Sequence, residues 1–114
     1  MDVTIYHNPR CSKSRQALAY LRERDLEPTV IRYLDETPDV DKLKKLIDAA
    51  GLNAHDAIRT REPEYAELGL TPDTPEAELL AAMAQHPRLI ERPFVVTDKG
   101  VRIARPTEAI DDII

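Results

Sequence analysis

One thiol and three histidines are the side chains best suited to chemistry in this sequence, and the thiol sits in an unusual place. Cys11 lies inside "HNPRCSKSR", after a proline turn and at the start of a helical pattern. A cysteine at a helix start meets backbone N–H groups that have no partner within the helix, and the positive end of the helix dipole. Both favour thiolate over thiol. A free cysteine has a pKa of about 8.5, and such positions lower it to roughly 3.5–7.5. Arg10, Lys13 and Arg15 are close in sequence and act the same way if they point inward. Ser14, three residues on, shares a helix face with the thiol. His7 lies across the turn, where a protonated imidazole would favour the thiolate further. A cysteine without such surroundings is a small buried hydrophobe. The helix-start setting favours reactivity.

Spacing narrows the chemistry. "CSKSR" is C-x-x-x-R, whereas a phosphatase-type loop needs five residues between cysteine and arginine to wrap a phosphate. "CSKS" carries Ser14 where a C-x-x-C redox motif has its second cysteine. With one cysteine in the chain, no internal disulfide can form. A metal site is not expected, because His7, His55 and His86 are scattered and no second thiol exists. His55 and His86 read as surface or helix-end residues.

The elements that must hold Cys11 follow from hydrophobic period. "DVTIYH" alternates as a strand, with Val3 and Ile5 on one side. From Ser12 to about Arg24 the pattern is helical, with Ala17, Leu18 and Leu21 on one face. "PTVIRYL" (Pro28 to Leu34) reads as a second strand, so this βαβ unit predicts a parallel pair with a right-handed crossover. A helix follows, with Thr37 as cap, Pro38 at its first position, a buried stripe of Leu43, Leu46 and Ile47, and Gly51 as the stop. A shorter helix is expected from Asn53 to Ile58, and one helical turn at Glu64 to Leu68. "TPEAELLAAMAQH" reads as a helix capped by Thr74, with Pro75 just inside. "RPFVVTDKGVRIARP" predicts two strands around a "DKG" hairpin turn. A last helix is expected from about Pro106. The order is βαβ, then helices, then ββα, in one domain spanning 1–114.

At 114 residues and a net charge of −5, the chain lacks the basic footprint of a nucleic-acid binder. Its apolar runs are too short to span a bilayer. "MDVTIYHNP" shows no export signal, and a lone thiol suits a reducing, cytoplasmic setting.

"IYHNPRCSKSR", "YAELGL", "HPRLIERPFVV" and "RIARPTEAI" occur in one order along nearly the whole chain. In these motifs the sequence resembles the glutaredoxin-linked arsenate reductases of the ArsC type, and most of all their shorter branch. The resemblance implies an α/β thioredoxin-like fold, with a mixed four-stranded sheet and a helical insert between the βαβ and ββα halves. It implies Cys11 as nucleophile, with His7 and Ser14 as its supporting groups, beside which Arg15 supports the thiolate by its nearness in sequence. Three arginines that hold the oxyanion fall on Arg59, Arg92 and Arg105. Arg61, two residues from Arg59, is the alternative for the first. It implies arsenate or a similar oxyanion as substrate, glutathione as co-substrate, glutaredoxin as partner, and no bound cofactor. It also implies a cis Arg92–Pro93 peptide before the strand that faces the thiol. Two other readings stand beside it. One is a related thiol oxidoreductase acting on another oxyanion or a glutathionylated substrate. The other is an RNA-polymerase-binding regulator of the same fold, against which Ser14 at the second C-x-x-C position counts.

Overall fold

A computed structural model covers residues 1–114. Its tertiary contacts divide the chain into two compact units, Met1–Glu36 with Arg92–Ile114, and Thr37–Glu91.

The first unit is built on strands β1 (Thr4–His7), β2 (Thr29–Arg32), β3 (Phe94–Thr97) and β4 (Gly100–Ile103), with helix α1 (Ser12–Glu23) between the first two. The sheet order is β2-β1-β3-β4. β1 and β2 are parallel, in a register that sets Ile5 beside Val30 and His7 beside Arg32. β3 is antiparallel to β1, with Tyr6 opposite Phe94, and β4 is antiparallel to β3. This is the expected mixed four-stranded α/β sheet.

The period-2 alternation of β1 has a physical outcome. Val3 and Ile5 form one buried core with Ala17 and Leu21 of α1, Val95 of β3, Ala104, Ile110 and Ile113. Leu21 is fully buried, and each such side chain contributes about 1.5–3 kcal/mol relative to leaving it exposed. Tyr20 Oη donates to Asp111 Oδ1 at 2.6 Å. Thr97 Oγ1 donates to the Ile113 carbonyl. The C-terminal segment is thereby tied to both α1 and β3. Its Thr107–Ile113 stretch is a 3-10 helix rather than the α-helix a plain apolar pattern suggests. The hairpin turns where expected. Gly100 has φ +148°, a backbone conformation that favours glycine, and a Cβ there would lie a tight 3.3 Å from Ile113 Cγ2.

The second unit is helical, as expected of the insert. It holds α2 (Val40–Ala49), a 3-10 turn at Ala54–Ala57, α3 (Pro63–Glu67), α4 (Glu76–Gln85) and a 3-10 turn at Pro87–Leu89. Leu43, Leu46 and Ile47 form the predicted buried stripe of α2. Leu79, Leu80, Ala82 and Met83 are the buried residues of α4. Two helix starts differ from the sequence reading. α2 is capped by Asp39, not Thr37, and the Asp39 side chain accepts from the Lys42 N–H. A carboxylate at this end also meets the helix dipole favourably. α4 begins at Glu76 with Pro75 as its cap residue. Thr74 is drawn back into the preceding turn, where its hydroxyl accepts from the Thr71 N–H at 2.8 Å. β2 is also shorter than expected, ending at Arg32.

Candidate active site

The turn before α1 is held by Asn8. The Cys11 N–H donates to the Asn8 carbonyl at 3.0 Å, closing a β-turn with Pro9 in the position that proline favours. The Asn8 side-chain Oδ1 accepts from the Arg10 N–H at 3.0 Å, a local bond typical of asparagine. Cys11 then has extended backbone, with φ −93° and ψ 123°, and its carbonyl accepts from the Arg15 N–H. It is the residue at the helix cap, as the sequence reading requires. Its side chain makes no capping bond.

Burial pushes the Cys11 thiol up, because a thiolate is poorly solvated there. A hydrogen bond and the charge of Arg92, together with the N–H groups of Ser14 and Lys13, outweigh that penalty and hold the thiol below its ordinary value. Arg105 adds a second guanidinium, with Nη2 3.9 Å from Cys11 Sγ. The two arginines are linked to each other, since Arg105 Nε donates to the Arg92 carbonyl at 2.7 Å. The Arg92–Pro93 peptide is cis, as expected, and so is Arg105–Pro106.

His7 and Ser14 are both buried. Ser14 Oγ lies 2.7 Å from His7 Nδ1 and accepts from the Asn8 N–H at 3.0 Å. This links the end of β1 to the first turn of α1. The expectation of a protonated imidazole is not met. Burial lowers the His7 pKa, and Arg32, Arg22 and Arg15 lower it further. His7 is therefore neutral near pH 7 and positions Ser14 instead of supplying charge. Arg10, Lys13 and Arg15 would support the thiolate only if they pointed inward. All three residues are exposed, and Arg15 Nη1 donates to the Pro9 carbonyl at 2.9 Å. Arg15 thus braces the turn, and Lys13 acts through its backbone.

The lowered His7 pKa has a testable sign. The unfolded chain holds a proton on His7 more readily than the native one. His7 therefore adds stability in full above about pH 6.5, and that stability is lost as pH falls through the lower native value. Urea unfolding of wild type should weaken more between pH 7 and pH 5 than that of His7→Gln. Equal losses in both would show that His7 carries no such linkage.

The two remaining predicted groups behave differently from Arg92 and Arg105. Arg59 belongs to the second unit, where its guanidinium bridges Glu62 and Glu91, each at 3.3 Å. Arg61 is exposed. His55 is half-buried and its Nε2 lies 2.9 Å from the Tyr65 hydroxyl. No group of three or more His, Cys, Asp or Glu side chains is placed to hold a metal ion. No helix is long and apolar enough to cross a membrane.

Sequence reasoning missed two residues. Asn8 was readable in principle from the Asn-Pro turn signal. Tyr33 was not. It is fully buried just beyond β2, where its hydroxyl interacts with Arg92 and Asn8.

Comparison with known proteins gives the family. Residues 6–113 match the model of the ArsC family. An arsenate reductase of Rhizobium meliloti is 50% identical over an alignment covering 100% of this chain and 82% of the relative. One from Neisseria meningitidis serogroup A is 42% identical, covering 99% of this chain and 98% of the relative. The solved structure of the arsenate reductase from Vibrio cholerae superposes with a TM-score of 0.95 at 46% identity, covering 100% of this chain and 98% of that one.

Proposed function

The chain belongs to the ArsC family, and from that premise we propose that it is an arsenate reductase, turning arsenate into arsenite through the Cys11 thiolate. The observation that carries this reading is the sulfur at the opening of α1, its thiol held below its ordinary value by Arg92 and with Arg105 Nη2 at 3.9 Å. A tetrahedral oxyanion finds there the N–H groups of a helix start and two planar cations that remain charged at any working pH.

The thiolate attacks arsenic, forming a sulfur–arsenic bond as one arsenate oxygen departs as water. Glutathione displaces a second oxygen and binds arsenic through its own sulfur. A glutaredoxin thiolate then attacks the glutathione sulfur. The glutathione–arsenic bond breaks, and its electron pair stays on arsenic, which becomes trivalent. The two electrons come from the two external thiols, which leave joined as a mixed disulfide. Hydrolysis of the remaining sulfur–arsenic bond frees arsenite and restores Cys11. Arg92 and Arg105 hold the oxygens throughout. The resemblance also names Arg59, whose charge within the second unit is shared between Glu62 and Glu91. Ser14 and His7 fix the turn that aims the sulfur. The chemistry calls on no metal.

Arsenite release by the purified protein, supplied with glutathione and glutaredoxin, tests the proposal. Release that Cys11→Ser abolishes supports it. A wild type that releases none overturns it. Within this reading, Arg105→Ala should slow turnover by about tenfold or more while leaving stability within about 0.5 kcal/mol, because the side chain is exposed. Undiminished turnover would remove Arg105 from the site.

A further inference from the structure

The first unit holds a second cationic recess that the steps above do not use. Asn8, Pro9 and Arg10 face Arg32, Leu34 and Asp35 across a cleft of about 180 Å³. His7 also lines it, beside Arg32 in the β1–β2 register. At about 30 Å³ per water the volume equals about six waters, which is room for a carboxylate and its neighbouring carbons but not for a whole tripeptide.

The charge in this cleft runs against that of the molecule. The chain as a whole carries −5. Here two arginines meet one carboxylate. Arg32 Nε is 3.7 Å from Asp35 Oδ2, and both side chains are more than half exposed, so this pair is weak and open to exchange with an incoming anion. Arg10 is exposed and makes no ion pair. His7 is held neutral there, chiefly by burial and then by Arg32.

The cleft is also close to the nucleophile. One of its walls is the Asn8–Pro9–Arg10 turn, and Cys11 closes that turn with its bond to the Asn8 carbonyl. The two ends of a β-turn lie within about 7 Å of each other. A ligand anchored by Arg10 can therefore extend past the turn toward the sulfur.

We propose that this cleft is the anchor for the small external thiol, with Arg10 and Arg32 taking a carboxylate of a glutathione-like molecule and Asp35 available to its ammonium group. This rests on the reading that the Cys11 adduct is resolved by an outside thiol, but it is tested without arsenate. Cys11 thiolate attacks glutathione disulfide, forming a mixed disulfide and releasing one glutathione thiolate. The same exchange with 2-hydroxyethyl disulfide has no carboxylate to anchor. The ratio of the two rate constants reads the anchor and cancels the intrinsic reactivity of the sulfur.

Arg10→Ala and Arg32→Ala should each lower this ratio about fivefold or more, and Arg10→Glu should lower it further, as expected when a charge-assisted contact is lost. Arg102→Ala, which removes an arginine from the same unit outside the cleft, should leave the ratio as it is. An unchanged ratio in the Arg10 and Arg32 variants overturns the proposal. An equal fall in Arg102→Ala also overturns it, because the effect would then be the general field of the protein. A protein that shows the selective fall yet releases no arsenite keeps the cleft and loses the arsenate reading.

Discussion

Replacing Arg92 with alanine is expected to raise the Cys11 thiol toward its ordinary value of about 8.5 and to cut arsenate turnover by about two to three orders of magnitude. The first effect follows from what opposes what at the sulfur. Burial acts against ionisation, and Arg92 is the largest of the groups acting for it. Without Arg92, only the helix N–H groups of Ser14 and Lys13 continue to favour the thiolate there, besides Arg105 with Nη2 at 3.9 Å. The second effect follows from the proposed mechanism, in which the same guanidinium faces the charge that develops on arsenic oxygens. Its own pKa is pushed down by burial, but the bond to Cys11 and the proximity of Tyr33 raise it overall, so its charge is secure. Arg92→Lys separates the two effects. A lysine keeps a cation but loses the planar fork, so the thiol should remain partly acidic while turnover still falls. The measurements are the rate of iodoacetamide alkylation against pH and steady-state arsenite release. An alkylation midpoint that does not move in Arg92→Ala would refute the assignment of Arg92 as the main support of the thiolate.

Turnover is expected to depend on glutathione with glutaredoxin and to be absent, or slower by at least about a hundredfold, with thioredoxin and its reductase alone. The chain has a single cysteine. Ser14 takes the place of a second one, and its hydroxyl is engaged with His7 Nδ1 and the Asn8 N–H. A hydroxyl does not exchange with a sulfur–arsenic bond, so the adduct cannot be resolved from within. On the proposed route a small thiol must reach arsenic first, and the two arginines beside Cys11 attract one that carries carboxylates. In the proposed sequence of steps glutaredoxin then resolves the glutathione–arsenic bond. Equal arsenite release in the two systems would refute this route. The measurement also separates this chain from proteins that carry their own resolving cysteine.

Much of this molecule was legible in its residues. The βαβ start came from the period of "DVTIYH", the helix face of Ala17 and Leu21, and the β-rich "PTVIRYL". These are local patterns, and local patterns survive whatever packs on them. The place of Cys11 was equally local, because a proline turn leading into a helix fixes which N–H groups a cap residue meets. Helix starts were less secure. Thr37 and Asp39 both have capping side chains, as do Thr71 and Thr74, and sequence alone does not say which oxygen reaches which N–H.

Tertiary structure decided the electrostatics. By sequence, Arg10, Lys13 and Arg15 are the cations nearest the thiol, yet all three are exposed and Arg15 braces the Pro9 carbonyl. The cations that act on the sulfur come from 81 and 94 residues away, Arg92 and Arg105, brought in by the pairing of β3 with β1 and by the chain leaving β4. His7 looked like a charged partner because it is close and basic. Its burial, and three arginines that the fold gathers round it, make it neutral. Short-range backbone geometry depends on neighbours in sequence and can be read from them. Charge acts through space, and its sign at an atom is set only when the fold has chosen which distant groups stand beside it and how much water is left between them.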